Sequence, residues 1–370
     1  MTALVTGGAG LIGSHIVDLL LERGETVRIL DNLDPQTHPQ GAPPWIPAEA
    51  EFVEGDVRNR DLLESVLDGV EEIYHQAAFG GFTTEISTYY DANATGTARI
   101  FEVIAERSLP VRKVVAASSQ AIYGEGMYVC EEHGEVQPEM RSLEQLLERR
   151  WEPTCPSCGR ELSPTLTRED AGWNGETPYA VSKLAEERTV IGMGKRLGIP
   201  TVALRYAVTF GPRQSVFNPY TGVVSIFSTL LLNDLPAVVY EDGLQTRDYI
   251  YVGDIARANV LAMDDERADG RVFNVGRGEP VTVVELLEKL AAAYGREPSY
   301  RVPGDFRPGD VRHVVHESSE IRSLGWAPET SLGEGLQAVA EWISGQGSLR
   351  EYYSEALEKL RERGVVQSAR

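Results

Sequence analysis

The 370-residue chain is poor in cysteine and in positive charge, and each shortage excludes a class of protein. Three cysteines, an odd number, do not make a disulfide framework. We therefore expect free thiols or metal ligands in a reducing compartment. Lysine and arginine together number 35 against 56 aspartate and glutamate residues, which gives a net charge of −21. Such a surface repels phosphate backbones, so nucleic-acid binding is not expected.

Long apolar runs are also missing. The longest candidate, Val223–Leu232, is about half of the roughly 20 residues that span a bilayer. A strand-like segment from Ala3 leads straight into glycines, which is not the pattern of a secretory signal. We expect a cytoplasmic protein without membrane contact. At 370 residues the chain is long enough for two domains, or for one large α/β domain with a smaller lobe. Its 42 % of hydrophobic residues is ordinary for a globular protein.

The first 120 residues alternate between strand and helix patterns, which predicts an α/β fold with a doubly wound parallel sheet of the Rossmann type. We expect a cofactor-binding domain over 1–205, interrupted by an irregular insertion at 125–174 with a helical piece near Ser142–Arg150. A smaller substrate-binding lobe is expected over 206–348, with some segments returning to the first domain. The last part, 349–370, is expected to be a charged surface helix. The predicted strands are Ala3–Thr6, Thr26–Leu30, Glu51–Glu54, Glu72–His75, Lys113–Ser118 and Thr201–Arg205, and the predicted helices include Leu11–Glu22, Asn93–Arg107, Pro178–Leu197, Val223–Leu232 and Thr282–Ala293.

A glycine-rich turn, Gly7-x-x-Gly10-x-x-Gly13, follows the first strand and opens the first helix. Residues without Cβ let the backbone approach a pyrophosphate, and the helix N-terminus offers N–H groups to the anion. Asp31, at the end of the second strand, can accept hydrogen bonds from an adenosine ribose and repels a 2′-phosphate, which favours NAD over NADP. The alternative is a structural turn with a loop aspartate. Further cofactor contacts are expected where the third and fourth strands end, at Asp56, Val57, Ala77 and Ala78.

Tyr179 and Lys183 lie four residues apart at the start of a predicted helix and therefore share one face. A nearby cation stabilises the phenolate, so Tyr179 can act as a base. Ser119 ends the fifth strand, at the edge of a parallel sheet where ligands bind. Taken singly, Tyr179 and Lys183 are equally a surface pair, and Ser119 is equally a structural cap. The three features in this order are far more specific.

On these motifs the chain resembles the extended short-chain dehydrogenase/reductase family, and within it the nucleotide-sugar epimerases. The resemblance implies that Tyr179 is the catalytic base, that Lys183 binds the nicotinamide ribose and that Ser119 contacts the C4 oxygen of the sugar. It also implies tightly bound NAD and a homodimer. Further cofactor contacts by resemblance are Leu11, Ile12, Asn32 and Asn93, and the substrate contacts are Phe79, Gly80, Gln120, Val208, Arg213, Val223, Arg247 and Arg307, of which Arg247 and Arg307 would hold the diphosphate.

The residues after Ser119 bear on the type of reaction. Members of the family that dehydrate the sugar have Asp-Glu there, whereas this chain has Gln120-Ala121. Without an extra acid, the site should move one hydride and one proton, as a 4-epimerase of a dTDP- or UDP-hexose does. Val208 stands where the family usually has an asparagine, so the substrate preference is not inherited. The alternatives are a 4-ketosugar reductase and, in a different class, a non-catalytic NAD-binding protein.

All three cysteines lie in the insertion, where Cys130 and His133 form a Cys-x-x-His and Cys155 and Cys158 a Cys-x-x-Cys. A Cys₃His set suits a tetrahedral, structural zinc with no open position; reduced free thiols are the alternative. A similar insertion, together with Asn218–Gly222, places the chain nearest the branch of proteins like dTDP-L-rhamnose 4-epimerase. A UDP-hexose or UDP-hexuronate 4-epimerase stays open.

Overall fold

A parallel sheet of seven strands forms the centre of the computed structural model, which describes residues 1–81, 85–217, 222–347 and 349–370. The Asn218–Thr221 part of the motif noted above lies outside the described residues. In chain order the strands are β1 (Thr2–Thr6), β2 (Thr26–Asp31), β3 (Glu51–Glu54), β4 (Glu72–His75), β5 (Lys113–Ser119), β6 (Tyr128–Cys130), β7 (Gly134–Val136), β8 (Ser163–Pro164), β9 (Thr201–Tyr206), β10 (Val208–Phe210), β11 (Ala237–Val238), β12 (Thr246–Tyr251), β13 (Arg271–Val275), β14 (Pro280–Thr282), β15 (Tyr300–Arg301), β16 (Asp305–Phe306), β17 (His313–Val314) and β18 (Gln367–Ser368).

Helices cover both faces of this sheet and build most of the second lobe. They are α1 (Leu11–Glu22), α2 (Arg60–Val66), α3 (Ser87–Tyr89), α4 (Gly96–Arg107), α5 (Leu143–Leu147), α6 (Pro178–Leu197), α7 (Val223–Leu232), α8 (Val252–Asp264), α9 (Val283–Ala293), α10 (Ser319–Arg322), α11 (Leu332–Ser344) and α12 (Tyr353–Glu362). A π-helical segment, Tyr90–Thr95, joins α3 to α4. Among the described residues, no helix has both the length and the apolar character needed to cross a bilayer.

The strand order of the large sheet is β13-β9-β5-β4-β1-β2-β3, and every neighbouring pair is parallel. The order reverses beside β1, which places the crevice of a doubly wound sheet at the carboxyl ends of β1 and β4. This confirms the predicted fold class. The predicted bounds of α1, α6 and α7 are also confirmed. The predicted helical piece of the insertion is shorter, since α5 covers only Leu143–Leu147.

Two apolar cores sandwich the sheet, one under α1 and α8 and the other under α2, α4 and α6. A third core fills the second lobe, between α7, α9, α11 and α12. The insertion forms its own small antiparallel sheet in the order β7-β6-β8. Two segments from beyond residue 205 belong to the large sheet, because β13 pairs with β9 and α8 packs on α1.

The last helix differs from the prediction of a charged surface helix over 349–370. Helix α12 begins at Tyr353 and ends at Glu362, and β18 then pairs with β16. Tyr353, Leu357 and Leu360 are buried in the core of the second lobe. Their spacing puts them on one face, and the charges that dominate the composition lie on the other face.

Candidate active site

The glycine turn makes a cradle that side chains would fill. Gly7 has a φ of +68°, and a Cβ there would lie 2.8 Å from the backbone nitrogen of Ala77. A Cβ at Gly13 would overlap the carbonyl oxygen of Gly7. Gly10 caps α1 without any side-chain hydrogen bond. The first N–H groups of any helix lack intrahelical acceptors, and here no capping side chain binds them. They border an open cradle, which fits a pyrophosphate.

An open cleft of about 390 Å³ extends from this turn along the carboxyl ends of β1, β2 and β4. The structure brings most of the expected cofactor contacts together there. The cleft is lined by Gly7, Gly10, Leu11, Ile12, Gly13, Asp31, Asn32, Asp56, Val57, Ala77 and Ala78, and by Phe79 and Gly80, which were expected on the substrate side. Its volume is typical of a cofactor site, and it joins the glycine turn to Asp31 and to the end of β4.

Asp31 lies at the floor of the cleft and is held by the backbone. One of its carboxylate oxygens accepts the N–H of Ala9 at 3.0 Å, and the other accepts the N–H of Leu33 at 2.9 Å. A carboxylate has about four acceptor positions, so two remain for ribose hydroxyls. Burial alone would raise the pKa of Asp56, but hydrogen bonds from Arg58 and Asn32 lower it to about 2. Asp56 is therefore a fixed anion at the side of the cleft.

Sequence reasoning missed the segment after Asp31, of which Asp34, Gln36, Thr37 and His38 line the cleft. The position of this segment in the sequence could have indicated its role, because the loop after the second strand lies next to the ribose site that Asp31 marks. Trp45 anchors the end of this segment by donating its indole N–H to the carbonyl of Ala9 at 2.9 Å.

Asn93, which was expected to contact the cofactor, is fully buried and is not among the residues that line the cleft. Its Oδ1 accepts the N–H of Phe79 at 2.7 Å, and its amide nitrogen donates to the carbonyl of Phe79 and to Oγ of Ser182. Asn93 thereby ties the loop at Phe79 to helix α6.

Ser119 and Tyr179 line a second cavity of about 360 Å³, which also contains Gln120, Val208 and Arg247. Ser119 ends β5, and its Oγ accepts the N–H of Ala121 at 3.2 Å. Thr177 caps α6 and Pro178 opens it, which places the half-buried Tyr179 in the first turn. The ring of Tyr179 lies 3.9 Å from the position of a Cβ on Gly80, so the second cavity adjoins the cleft.

Lys183 follows Tyr179 by one helical turn and is buried. Its Nζ donates to Oε2 of Glu186 at 2.6 Å. The three residues expected to be catalytic are therefore grouped at the carboxyl end of β5 and the N-terminus of α6, beside the cleft.

A third cavity of about 210 Å³ continues from the second into the C-terminal lobe, with Val208 and Arg247 in the walls of both. Val223, Arg307 and Tyr353 line it as well. The guanidinium of Arg247 donates to the carbonyls of Val311 and Arg312 at 2.6 and 3.0 Å. That of Arg307 lies 5.2 Å from the ring centre of Tyr240. Two guanidinium groups thus border one path, as a diphosphate requires.

Arg213 was expected in the substrate pocket, but it does not line either of these two cavities. Its guanidinium pairs with Asp18 of α1, with 2.7 Å between Nη2 and the carboxylate oxygen. Arg213 also has a φ of +69°, in the left-handed region.

The cysteine-rich insertion brings its four candidate ligands together. The ligand atoms of Cys130, His133, Cys155 and Cys158 all lie within 4.8 Å of one another. Sγ of Cys130 is 3.7 Å from Sγ of Cys158, and Nδ1 of His133 is 3.5 Å from Sγ of both Cys130 and Cys155. Around them, Tyr128 and Leu162 complete a small core.

A buried ionic cluster joins the insertion to the second lobe. Arg141 donates to Glu125 at 3.1 Å and makes two bonds of 2.9 Å to Glu241. Arg312 contacts Glu241 and also Glu152 of the insertion. Burial would raise the pKa of Glu152, but hydrogen bonds from His313 and Arg312 lower it to about 2. Because Arg247 donates to the carbonyl of Arg312, this cluster supports the wall of the second cavity.

A parallel doubly wound sheet with a glycine cradle at its first strand, and Ser, Tyr and Lys beside it, defines a dinucleotide-dependent enzyme of the short-chain dehydrogenase/reductase class. The chain belongs to the NAD dependent epimerase/dehydratase family, which it matches over residues 3–142 and 156–276. The unmatched stretch between these two ranges falls within the insertion.

The relatives and solved structures that the chain resembles include several nucleotide-sugar 4-epimerases. The chain is 33 % identical over 352 residues to the dTDP-L-rhamnose 4-epimerase of Burkholderia thailandensis, covering 92 % of this chain and 94 % of that protein. It is 32 % identical over 352 residues to the UDP-glucose 4-epimerase of Mycolicibacterium smegmatis, covering 93 % and 98 %. The UDP-glucose 4-epimerase of Thermotoga maritima, solved with UDP-glucose, superposes with a TM-score of 0.76 at 29 % identity, over 94 % of this chain and all of that one. The UDP-glucose 4-epimerase of Thermus thermophilus, solved with NAD, gives 0.73 at 30 %, with the same coverage.

Proposed function

We propose that the protein is an NAD-dependent 4-epimerase of a nucleotide-diphosphate hexose. The observation that carries this proposal is the position of Ser119 and Tyr179. They line one cavity that adjoins the dinucleotide cleft on one side and the cavity bordered by Arg247 and Arg307 on the other. A sugar nucleotide whose diphosphate is held by the two arginines would extend its sugar toward Tyr179, because Arg247 lines the cavity of Tyr179 as well as that of Arg307.

In this proposal Tyr179 removes the proton from the C4 hydroxyl, while Ser119 hydrogen-bonds the same oxygen. NAD, when bound in the cleft by the residues around Gly7–Gly13 and Asp31, supplies reversible hydride transfer at C4. Lys183 stabilises the phenolate of Tyr179. The 4-keto sugar would then rotate in the cavity, take the hydride back on the other face of C4 and receive the proton from Tyr179. Because hydride and proton are both returned, the reaction is redox-neutral and the cofactor stays bound.

The residues that directly follow Ser119 favour epimerisation over dehydration, because Gln120 and Ala121 are not acids. Two carboxylates from other segments of the chain, Glu176 and Asp310, also line this cavity. A 4-ketosugar reductase uses the same Ser, Tyr and Lys, but it consumes reduced cofactor in every turnover. The relatives point to dTDP- and UDP-hexoses, and dTDP-L-rhamnose is the first sugar nucleotide to test.

The insertion supports a second proposal, a structural zinc held by Cys130, His133, Cys155 and Cys158. Zinc bonds of about 2.3 Å to sulfur and 2.0–2.1 Å to nitrogen, at tetrahedral angles, put neighbouring ligand atoms about 3.5–3.8 Å apart. The observed separations of 3.5 and 3.7 Å match this spacing. Four protein ligands leave no open position, so the metal would stabilise the fold and take no part in the chemistry.

We also propose a homodimer and a cytoplasmic location. Helices α4 and α6 pack side by side on one face of the sheet, and Val181 of α6 is exposed there. All three cysteines are free, which is typical of a reducing compartment. Sedimentation velocity of the purified protein tests the dimer.

The decisive experiment uses the purified protein without added cofactor. It is incubated with dTDP- and UDP-sugars, and the C4 configuration is followed by NMR. We expect interconversion of one C4 pair, with NAD released on denaturation. Conversion that occurs only when NAD(P)H is supplied would show that the protein is a reductase and not an epimerase.

A further inference from the structure

Two adjacent glutamates on α6 have different partners. Glu187 is bound by Arg205, with bonds of 2.7 and 2.9 Å, and by Oγ of Ser118 at 2.6 Å. It therefore helps to hold the helix against β5 and β9. Glu186 faces elsewhere. Its Oε2 accepts the ammonium of Lys183 at 2.6 Å, and its side chain is fully buried.

The surroundings of Glu186 leave Lys183 as its counter-ion. His75 of β4 lies 3.9 Å away, with its ring nitrogens bonded to Thr6 and Thr97 at 2.7 and 2.8 Å. Burial lowers the pKa of His75 to about 3, so this ring is neutral. On α6 itself, Glu187 adds a like charge, and Tyr206 of β9 is a neutral phenol.

The ionisation of Glu186 depends on Lys183. The pKa of Glu186 is raised to about 7, because the effect of burial exceeds the opposing effect of the charge and hydrogen bond of Lys183. The dependence is mutual, because a buried ammonium without a carboxylate tends to lose its proton. Tyr179, Lys183 and Glu186 follow one another at i, i+4 and i+7, which aligns them along one helix face.

We propose that Glu186 is a positioning residue that keeps the Lys183 ammonium charged and fixed beside Tyr179. It acts through Lys183 and does not touch the substrate. This inference rests on the proposed roles of Tyr179 and Lys183 in the 4-epimerase reaction.

A direct test follows the side chain of Lys183 itself. The chain has only five lysines, so ¹³Cε-lysine labelling gives a simple NMR spectrum, and Lys183→Arg assigns the relevant resonance. In Glu186→Gln we expect this resonance to begin its titration at least about one pH unit lower than in the parent protein, which is a tenfold change in equilibrium. Glu186→Asp, which keeps a carboxylate, should return the Lys183 resonance most of the way to its behaviour in the parent protein.

A pH profile of turnover supplies the second readout. In Glu186→Gln the alkaline limb of kcat should move to lower pH, with KM for the sugar nucleotide changed less than about threefold. Glu72→Gln is the matched control, because it removes another buried carboxylate of an ion pair, the partner of Arg112, away from the site. It should leave both readouts at the parent values.

Two results would overturn the inference: a Lys183 resonance that titrates alike in Glu186→Gln and in the parent, or a shift of equal size in Glu72→Gln. The NMR measurement needs no turnover. If the parent protein has no epimerase activity, the proposed function is wrong, but the NMR measurement still tests the ion pair between Lys183 and Glu186.

Discussion

Replacing Gly13 by alanine tests the cofactor cradle at its tightest point. The added Cβ would overlap the carbonyl oxygen of Gly7 and lie 2.8 Å from the Cα of Gly8, whereas ordinary contacts begin at 3.4 Å. Both neighbours are backbone atoms of the turn, so no side-chain rotation relieves the overlap. Helix α1 or the turn must move, and the N–H groups at Leu11 and Ile12 move with it.

The expected loss can be worked out from one hydrogen bond. A bond from an N–H group to a charged partner contributes about 1.5–3 kcal/mol. Losing one such bond to the pyrophosphate weakens NAD binding by roughly 10- to 150-fold. The assay is isothermal titration of apoprotein with NAD, together with measurement of the NAD that copurifies with each variant.

The matched control is Gly192→Ala, a position inside α6 where an added Cβ meets nothing within 4 Å. This change should leave NAD binding at the parent value and stabilise the protein by about 0.5–1 kcal/mol, because alanine favours the helix. A Gly13→Ala protein that binds NAD as tightly as the parent would refute the placement of the pyrophosphate at this turn.

The catalytic group, the metal site and the second lobe each give one further prediction. Tyr179→Phe should lower kcat by about 10²- to 10⁴-fold while NAD still copurifies; unchanged activity on every sugar nucleotide would rule out its role as the base. Cys155→Ser should abolish stoichiometric zinc in protein purified without chelators, and it should lower the thermal midpoint; zinc analysis that finds no metal in the parent would disprove the metal site. Leu360→Ala, in the buried face of α12, should cost about 2–5 kcal/mol of unfolding free energy, whereas the exposed Glu358→Ala should be nearly neutral. Equal urea midpoints for these two variants would contradict the buried position of α12.

The elements that the sequence predicted best are those with a local cause. Helix α1 begins after glycines and ends before Gly24, and α6 begins at Thr177-Pro178, so capping and turn residues set their bounds. The glycine cradle and the group of Ser119, Tyr179 and Lys183 could also be predicted from the sequence. Each motif lies at the end of a predicted strand or the start of a predicted helix, and in a parallel sheet these positions share one edge.

What could not be predicted depends on contacts between distant segments. Asn93 and Arg213 contact partners far along the chain, Ser182 and Asp18, and these contacts could not be predicted from local sequence. The burial of α12 was missed for a similar reason. The mean polarity of this segment is high, and only the spacing of Tyr353, Leu357 and Leu360 indicates a buried face.

The position of β13 at the edge of the large sheet has a consequence for how the protein is made. This strand is synthesised after β10 and β12 of the second lobe, and yet it completes the sheet that holds the cofactor cleft. A nascent chain that stops at residue 205 lacks both β13 and the α8 cover of α1. We therefore expect the fragment 1–205 to be unstable on the ribosome. The two lobes should unfold in a single cooperative transition, so that NAD raises the melting temperature of the distant apolar core around Leu360 as much as that of the sheet it touches.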